Sequence, residues 1–207
     1  MSESLYLTHK LGQGITPSHF MKSMNSREMV NSGIPDTKEK LTSLYDHFEW
    51  PDQDDREAIG SLNERNDLRV LILATDWCPD VIWNVPVLVR AMEHARIPTE
   101  ILIMDEHLET MDHFLTNGGR AQPIAVFLSD SGEVLGRWGA RPAYIQAVMD
   151  RFKEENPDRK AAGYQDKLNE TYRAIGSLYR CVSDYQRALI QELRACLESI
   201  QSERSSR

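Results

Sequence analysis

The sequence predicts an α/β protein with a mixed sheet and helices on its faces, and three observations carry that prediction. From Leu68, the stretch Arg69-Val70-Leu71-Ile72-Leu73-Ala74 is a nearly continuous apolar run of strand length, suited to a strand covered on both sides. Further short apolar runs alternate with segments of helical spacing over residues 69–155. Ser129-Asp130-Ser131-Gly132 separates the last two runs as a hairpin turn. The order reads β-α-β-α-β-β-α, in which strands joined through helices should be parallel and the final pair antiparallel.

Ahead of the sheet, Thr16-Pro17 supplies a helix cap with proline at the first helical position, and Phe20, Met21, Met24 and Met29 follow. One short helix is expected there. After the turn Gly33-Ile34-Pro35-Asp36, Leu41, Leu44, Tyr45 and Phe48 recur at helical intervals until Trp50-Pro51 ends the pattern. Asp52, Asp54 and Asp55 read as the capping cluster of a helix over about 54–65, because the glycine and late glutamate of a calcium loop do not follow. Past the first strand, Val81, Val85, Leu88, Val89 and Met92 predict a helix with Pro86 inside it, kinked or locally broken by the missing N–H. Thr99 to Ile103 reads as a strand, and Glu106 to Leu115 as a helix stopped by Asn117-Gly118-Gly119. Pro123 to Leu128 and Glu133 to Trp138 are the hairpin strands, and a helix from Pro142 to about Glu155 closes the block.

Beyond Asn156-Pro157 the positions Leu168, Tyr172, Ile175, Tyr179, Val182, Gln186, Leu189, Leu193, Cys196 and Ile200 keep a 4-3 alternation, broken only by Gln186. This predicts one long amphipathic helix. Its stripe either packs on the protein's own body or the N-terminal helices, or projects. At 1.5 Å per residue the stripe is about 50 Å long, enough to extend past a small body and form a homodimer with a second copy. The expected division is an N-terminal helical extension over 1–59, a sheet domain over 60–156 and the C-terminal amphipathic helix over 157–207.

Of the 207 residues, 41% are hydrophobic and 27% charged, which excludes a disordered or collagen-like chain. The 24 basic and 32 acidic side chains leave a net charge of −8, a sign that repels phosphate backbones and argues against a nucleic-acid partner. The balance is uneven: residues 1–149 carry 13 basic and 22 acidic groups, residues 150–207 carry 11 and 10. No apolar run approaches the length of a membrane span, and the start MSESLYLTHKLGQG lacks the basic and apolar regions of a signal peptide. A cytoplasmic protein with no membrane association is expected. Cys78, Cys181 and Cys196 form neither a disulfide framework nor a zinc pattern and should rest as thiols.

Cys78 sits where a buried strand ends and a helix begins, with Pro79 at a first-turn position. A thiol there feels the positive end of the helix dipole, which favours the thiolate that attacks disulfides; a lone cysteine is otherwise an inert buried side chain. Over about residues 60–155 the chain resembles the thioredoxin superfamily. Trp77-Cys78-Pro79-Asp80 is similar to the redox motif of that superfamily, and Pro123, 45 residues past Cys78, to its cis-proline. Phe127-Leu128-Ser129-Asp130-Ser131-Gly132-Glu133-Val134 and Gly139-Ala140 resemble the terminal hairpin and closing Gly-Ala. With Asn84-Val85-Pro86-Val87-Leu88, Asp105-Glu106, Leu115-Thr116-Asn117-Gly118 and Trp138-Gly139, the pattern is similar to a branch of thioredoxin-like bacterial proteins with an added N-terminal helical segment.

The resemblance implies a thioredoxin-like three-layer α/β/α fold with a mixed sheet, plus N-terminal helices and a long C-terminal helix. It implies a catalytic Cys78 with substrate contacts from Trp77, Pro79, Asp80, Gln122 and Pro123, the Gln122 backbone pairing with an extended substrate, and neither cofactor nor metal. A cis bond at Pro123 belongs to that expectation, although an X-Pro bond before a strand is also found trans at an ordinary edge position.

The departures limit what carries over. Where a dithiol thioredoxin has its second cysteine this chain has Val81, so a mixed disulfide on Cys78 needs an external thiol such as glutathione or another low-molecular-weight thiol. Cys181 or Cys196 could serve only if the tail folds back over the sheet edge. The superfamily's buried acid, six residues before the first cysteine, is Ile72 here. Asp80 suits the first turn of the helix, yet its charge would raise the thiol pKa, so the net direction stays open. Arg120 either neutralises Asp80 or attracts an anionic thiol, or stays solvated. Glu106, Glu109 and His113 read as an exposed charged helix face rather than a metal site, His47 and His94 have no partner at ligand spacing, and Gly118-Gly119 is a helix stop rather than a nucleotide loop. Two functions remain: a monothiol disulfide oxidoreductase acting on a protein or low-molecular-weight disulfide, and a non-catalytic thioredoxin-fold binding module for a protein partner.

Overall fold

Three capped helices lead into the sheet in the computed structural model, which describes residues 4–205. The Thr16 hydroxyl accepts from the His19 N–H at the start of α1 (Pro17–Ser23), and the Asp36 carboxylate from Lys38 and Glu39 at the start of α2 (Thr37–Asp46). Asp52 does the same for α3 (Gln53–Gly60), which continues as a 3₁₀ turn to Glu64. The remaining elements are β1 (Leu68–Ala74), α4 (Pro79–His94), β2 (Thr99–Ile103), α5 (Leu108–Met111), β3 (Ile124–Ser129), β4 (Val134–Gly139), α6 (Ala143–Glu155), α7 (Tyr164–Arg180) and α8 (Val182–Ser205). Among the described residues no helix is long and apolar enough to cross a membrane.

The sheet order is β2-β1-β3-β4. Its centre is β1, whose Leu68, Val70, Ile72 and Ala74 face one core while Leu71 and Leu73 face the other. The first core is the larger and is closed by α2, α4, α6 and α8; the second is thinner and is closed by Leu7, Met111 and Phe114. Strand β2 runs parallel to β1, and β3 and β4 form the antiparallel hairpin. Strand β3 departs from expectation, since it pairs antiparallel with β1. The connection from β2 holds only two 3₁₀ turns around the single turn of α5, where a helix over 106–115 was expected. So short an element does not run back along the sheet, and β3 enters from the end at which β2 leaves. Asn117 and Gly118, with φ of 49° and 73°, do end that segment.

Two further expectations change. Helix α4 is continuous through Pro86, whose fixed φ is helical even though its N–H is missing. The tail is two helices, because the chain turns at Cys181 (ψ 73°). On α8, Tyr185, Ile190 and Leu197 are buried beside Leu189, Leu193 and Ile200, so the apolar face is wider than a seam and is covered by the protein's own first core. Among the described residues most of the stripe is covered in this way rather than projecting, with Val182 left 36% exposed.

Candidate active site

Strand β1 delivers the chain to Cys78 at the N-cap of α4, with Pro79 at the first helical position. Across from it the Gln122–Pro123 bond is cis. The Cys78 Sγ–H donates to the Gln122 carbonyl at 3.6 Å. Buried Gln122 in turn donates through Nε2 to Thr75 Oγ1 at 2.8 Å, fastening the proline turn to the end of β1. Trp77 is half exposed and its indole N–H donates to Asp105 at 2.8 Å.

Asp80 points inward. Arg141 grips both of its oxygens, Nε to Oδ1 at 2.8 Å and Nη2 to Oδ2 at 2.6 Å, with the two side chains 10% and 7% exposed. The Tyr179 hydroxyl donates to Asp80 Oδ1 at 2.9 Å and accepts from Asn84 Nδ2 at 2.8 Å, while Arg141 Nη1 donates to Gln146 at 2.9 Å. Bidentate pairing and full partnering are what allow two charges to stay buried. Their effect on the thiol is not symmetric. Burial pushes the Cys78 thiol up, the Asp80 carboxylate adds to that, and Arg141 only partly opposes it, so the pKa stands at about 12. The direction left open by the sequence is therefore upward, and the resting thiol is protonated at neutral pH.

Beside the thiol lies a cleft of about 420 Å³. It is formed by the turn Val30–Ser32, the start of α4 and the inner face of α7, with Met29, Trp77, Trp83, Tyr172, Ile175 and Tyr179 supplying most of the wall. Turn and helix are tied together: Asn31 Nδ2 donates to Asn169 Oδ1 at 3.2 Å, and a Cβ on Gly176 would come within 2.8 Å of the Ser32 carbonyl oxygen. Cys78, Pro79 and Asp80 line the cleft with Trp77, whereas Gln122 and Pro123 stand at the thiol and not on this lining.

Other sequence candidates lie elsewhere. Arg120 pairs with Asp112 at 2.7 and 2.8 Å on the surface, so the partner of Asp80 is Arg141. All three cysteines are free; Cys181 is exposed, Cys196 donates to the Arg137 carbonyl on β4, and neither lines the cleft. Glu109 pairs with Lys10. His47 bonds the Ser43 carbonyl and His94 the Arg56 carbonyl. Sequence reasoning missed Arg141, Tyr179 and the Met29–Ser32 turn. Arg141 follows Gly139-Ala140 directly, and that adjacency was the one available signal; nothing local marks the others.

A family model described as thioredoxin matches residues 23–154, a span that takes in α2 and α3 as well as the sheet. No curated protein matches the sequence. Two solved structures share the fold. One is the 1.5 Å crystal structure of a protein of unknown function from Pseudomonas aeruginosa, 20% identical, with a TM-score of 0.55 over 94% of this chain and 98% of that one. The other is an HIV epitope-scaffold, 18% identical, with a TM-score of 0.53 over the same shares.

Proposed function

Because the chain belongs to the thioredoxin family, we propose that it acts at the Cys78 cleft as a single-thiol exchange protein. The observation that carries this reading is the placement of Cys78 Sγ, at the N-terminus of α4, 3.6 Å from the carbonyl of the cis-proline turn and on the wall of a 420 Å³ cleft. In the reaction the thiol gives its proton to solvent and the sulfur attacks one sulfur of a disulfide R–S–S–R′. A Cys78–S–S–R bond forms, and R′S⁻ leaves and takes up a proton. With Val81 in the second position, an external low-molecular-weight thiol attacks the mixed disulfide, leaving as R–S–S–R″ and returning the proton to Cys78. The three free cysteines suit a reducing, cytoplasmic setting.

A second reading, a non-catalytic binding module that keeps the cleft without the chemistry, is favoured by the protonated resting thiol beside Asp80. The two separate cleanly. Thiol-dependent reduction of a small mixed disulfide should be faster for the wild type than for Cys78→Ser, with Cys181 and Cys196 replaced by serine in both. Equal rates would end the exchange reading and leave the binding module.

A further inference from the structure

Charge inside the cleft is already spent. Both oxygens of Asp80 are taken by Arg141 and Tyr179, and the remaining Arg141 nitrogen is taken by Gln146. The walls are otherwise aromatic and aliphatic, so an ionic ligand would lose its water and find no free counter-charge. Trp83 is 1% exposed, stacks on the Tyr179 ring at 5.5 Å and lines the cleft, so the two rings form one continuous aromatic wall. The volume, about 420 Å³, is within the range of small-molecule pockets. The Val30–Ser32 turn and α7, joined by Asn31–Asn169 and the Gly176–Ser32 contact, form two of its walls.

We infer that this cleft binds a small uncharged organic molecule with an aromatic or apolar body, and that on the exchange reading above the substrate is a disulfide of that class rather than a charged one. Binding rests on the cleft alone; only the substrate clause rests on the exchange reading. The test uses dithiodipyridine, a neutral disulfide of two rings with acceptor nitrogens, against glutathione disulfide and a linear cystine peptide.

Affinity is read by NMR titration on the full chain with Cys78, Cys181 and Cys196 changed to serine, so that nothing reacts. Dithiodipyridine should bind saturably and at least about tenfold more tightly than either charged disulfide. Val30→Glu, on a lip residue that is 75% exposed, should weaken it at least about fivefold without loss of fold. Equal affinity for the charged disulfides, absence of saturation, or indifference to Val30→Glu overturns the inference. If the serine protein binds while the Cys78 protein releases no thiopyridone, the exchange reading fails and the cleft assignment stands.

Discussion

Replacing Asp80 by asparagine should speed the reaction of Cys78, the opposite of what loss of an active-site acid usually does. At a pKa of about 12 the thiol is ionised to roughly one part in ten thousand at pH 8. Burial is the larger cause and persists in the variant; the neighbouring carboxylate is the second cause and is removed, while the Arg141 charge stays. Loss of a close like charge lowers a pKa by on the order of 1–3 units. Each unit raises the thiolate population about tenfold and, with a Brønsted slope of about 0.4–0.5, costs about threefold in nucleophilicity. A fall of about two units therefore gives roughly a tenfold faster release of thiopyridone from dithiodipyridine, measured by absorbance in a Cys181→Ser/Cys196→Ser background. Asp80→Asn also strands a buried guanidinium, at a cost of about 3–5 kcal/mol. The double variant Asp80→Asn/Arg141→Gln removes both charges, and since Asp80 outweighs Arg141 at the thiol, its rate should fall between wild type and the single variant. A folded Asp80→Asn protein that reacts within twofold of wild type would refute the contribution of Asp80 to the raised pKa of the thiol.

Three other outcomes are expected. Insulin reduction coupled to a thioredoxin reductase should sit near background for the wild type and rise for Val81→Cys, which places a second thiol one helical turn from Cys78; brisk wild-type turnover would mean that another cysteine resolves the mixed disulfide. Gly176→Ala pushes a methyl group into the Ser32 carbonyl and should destabilise the fold by about 1–3 kcal/mol in urea titration while weakening dithiodipyridine binding; an unchanged midpoint would show that α7 and the turn are not in tight contact. Stability should also fall in alkali. The buried Cys78, Tyr179 and Tyr185 all have raised pKa values, so well below about pH 8 folded and unfolded states hold the same protons on these groups. Between about pH 9 and 12 the unfolded chain ionises first, and the Cys78 share costs on the order of 1 kcal/mol per pH unit. A flat urea midpoint from pH 8 to 11, or a slope untouched by Cys78→Ser, would contradict the burial of these groups.

Legibility in the sequence followed how local the physics was. Caps at Thr16 and Asp52, the two-faced strand β1, the turn at residues 129–132 and the cysteine at a strand-to-helix junction each rest on neighbours a few residues apart, and each stands where the sequence put it. The direction of β3 was misread because helical spacing does not reveal that the connecting helix lasts a single turn. The tail was misread because a turn at one residue, Cys181, leaves the 4-3 spacing of apolar positions intact on both sides.

Composition and spacing alone determined an α/β chain with a mixed sheet, an acidic surface, and one cysteine without a local partner. What state that cysteine is in was decided only by the tertiary structure. Asp80 is two residues from Cys78 and legible, but its effect depends on burial and on Arg141 and Tyr179, which lie 61 and 99 residues further along the chain. Those groups meet because α7 folds back over α4 and the Val30–Ser32 turn closes beside it. Charge–charge energies scale with distance in space and with local dielectric, and sequence separation carries neither.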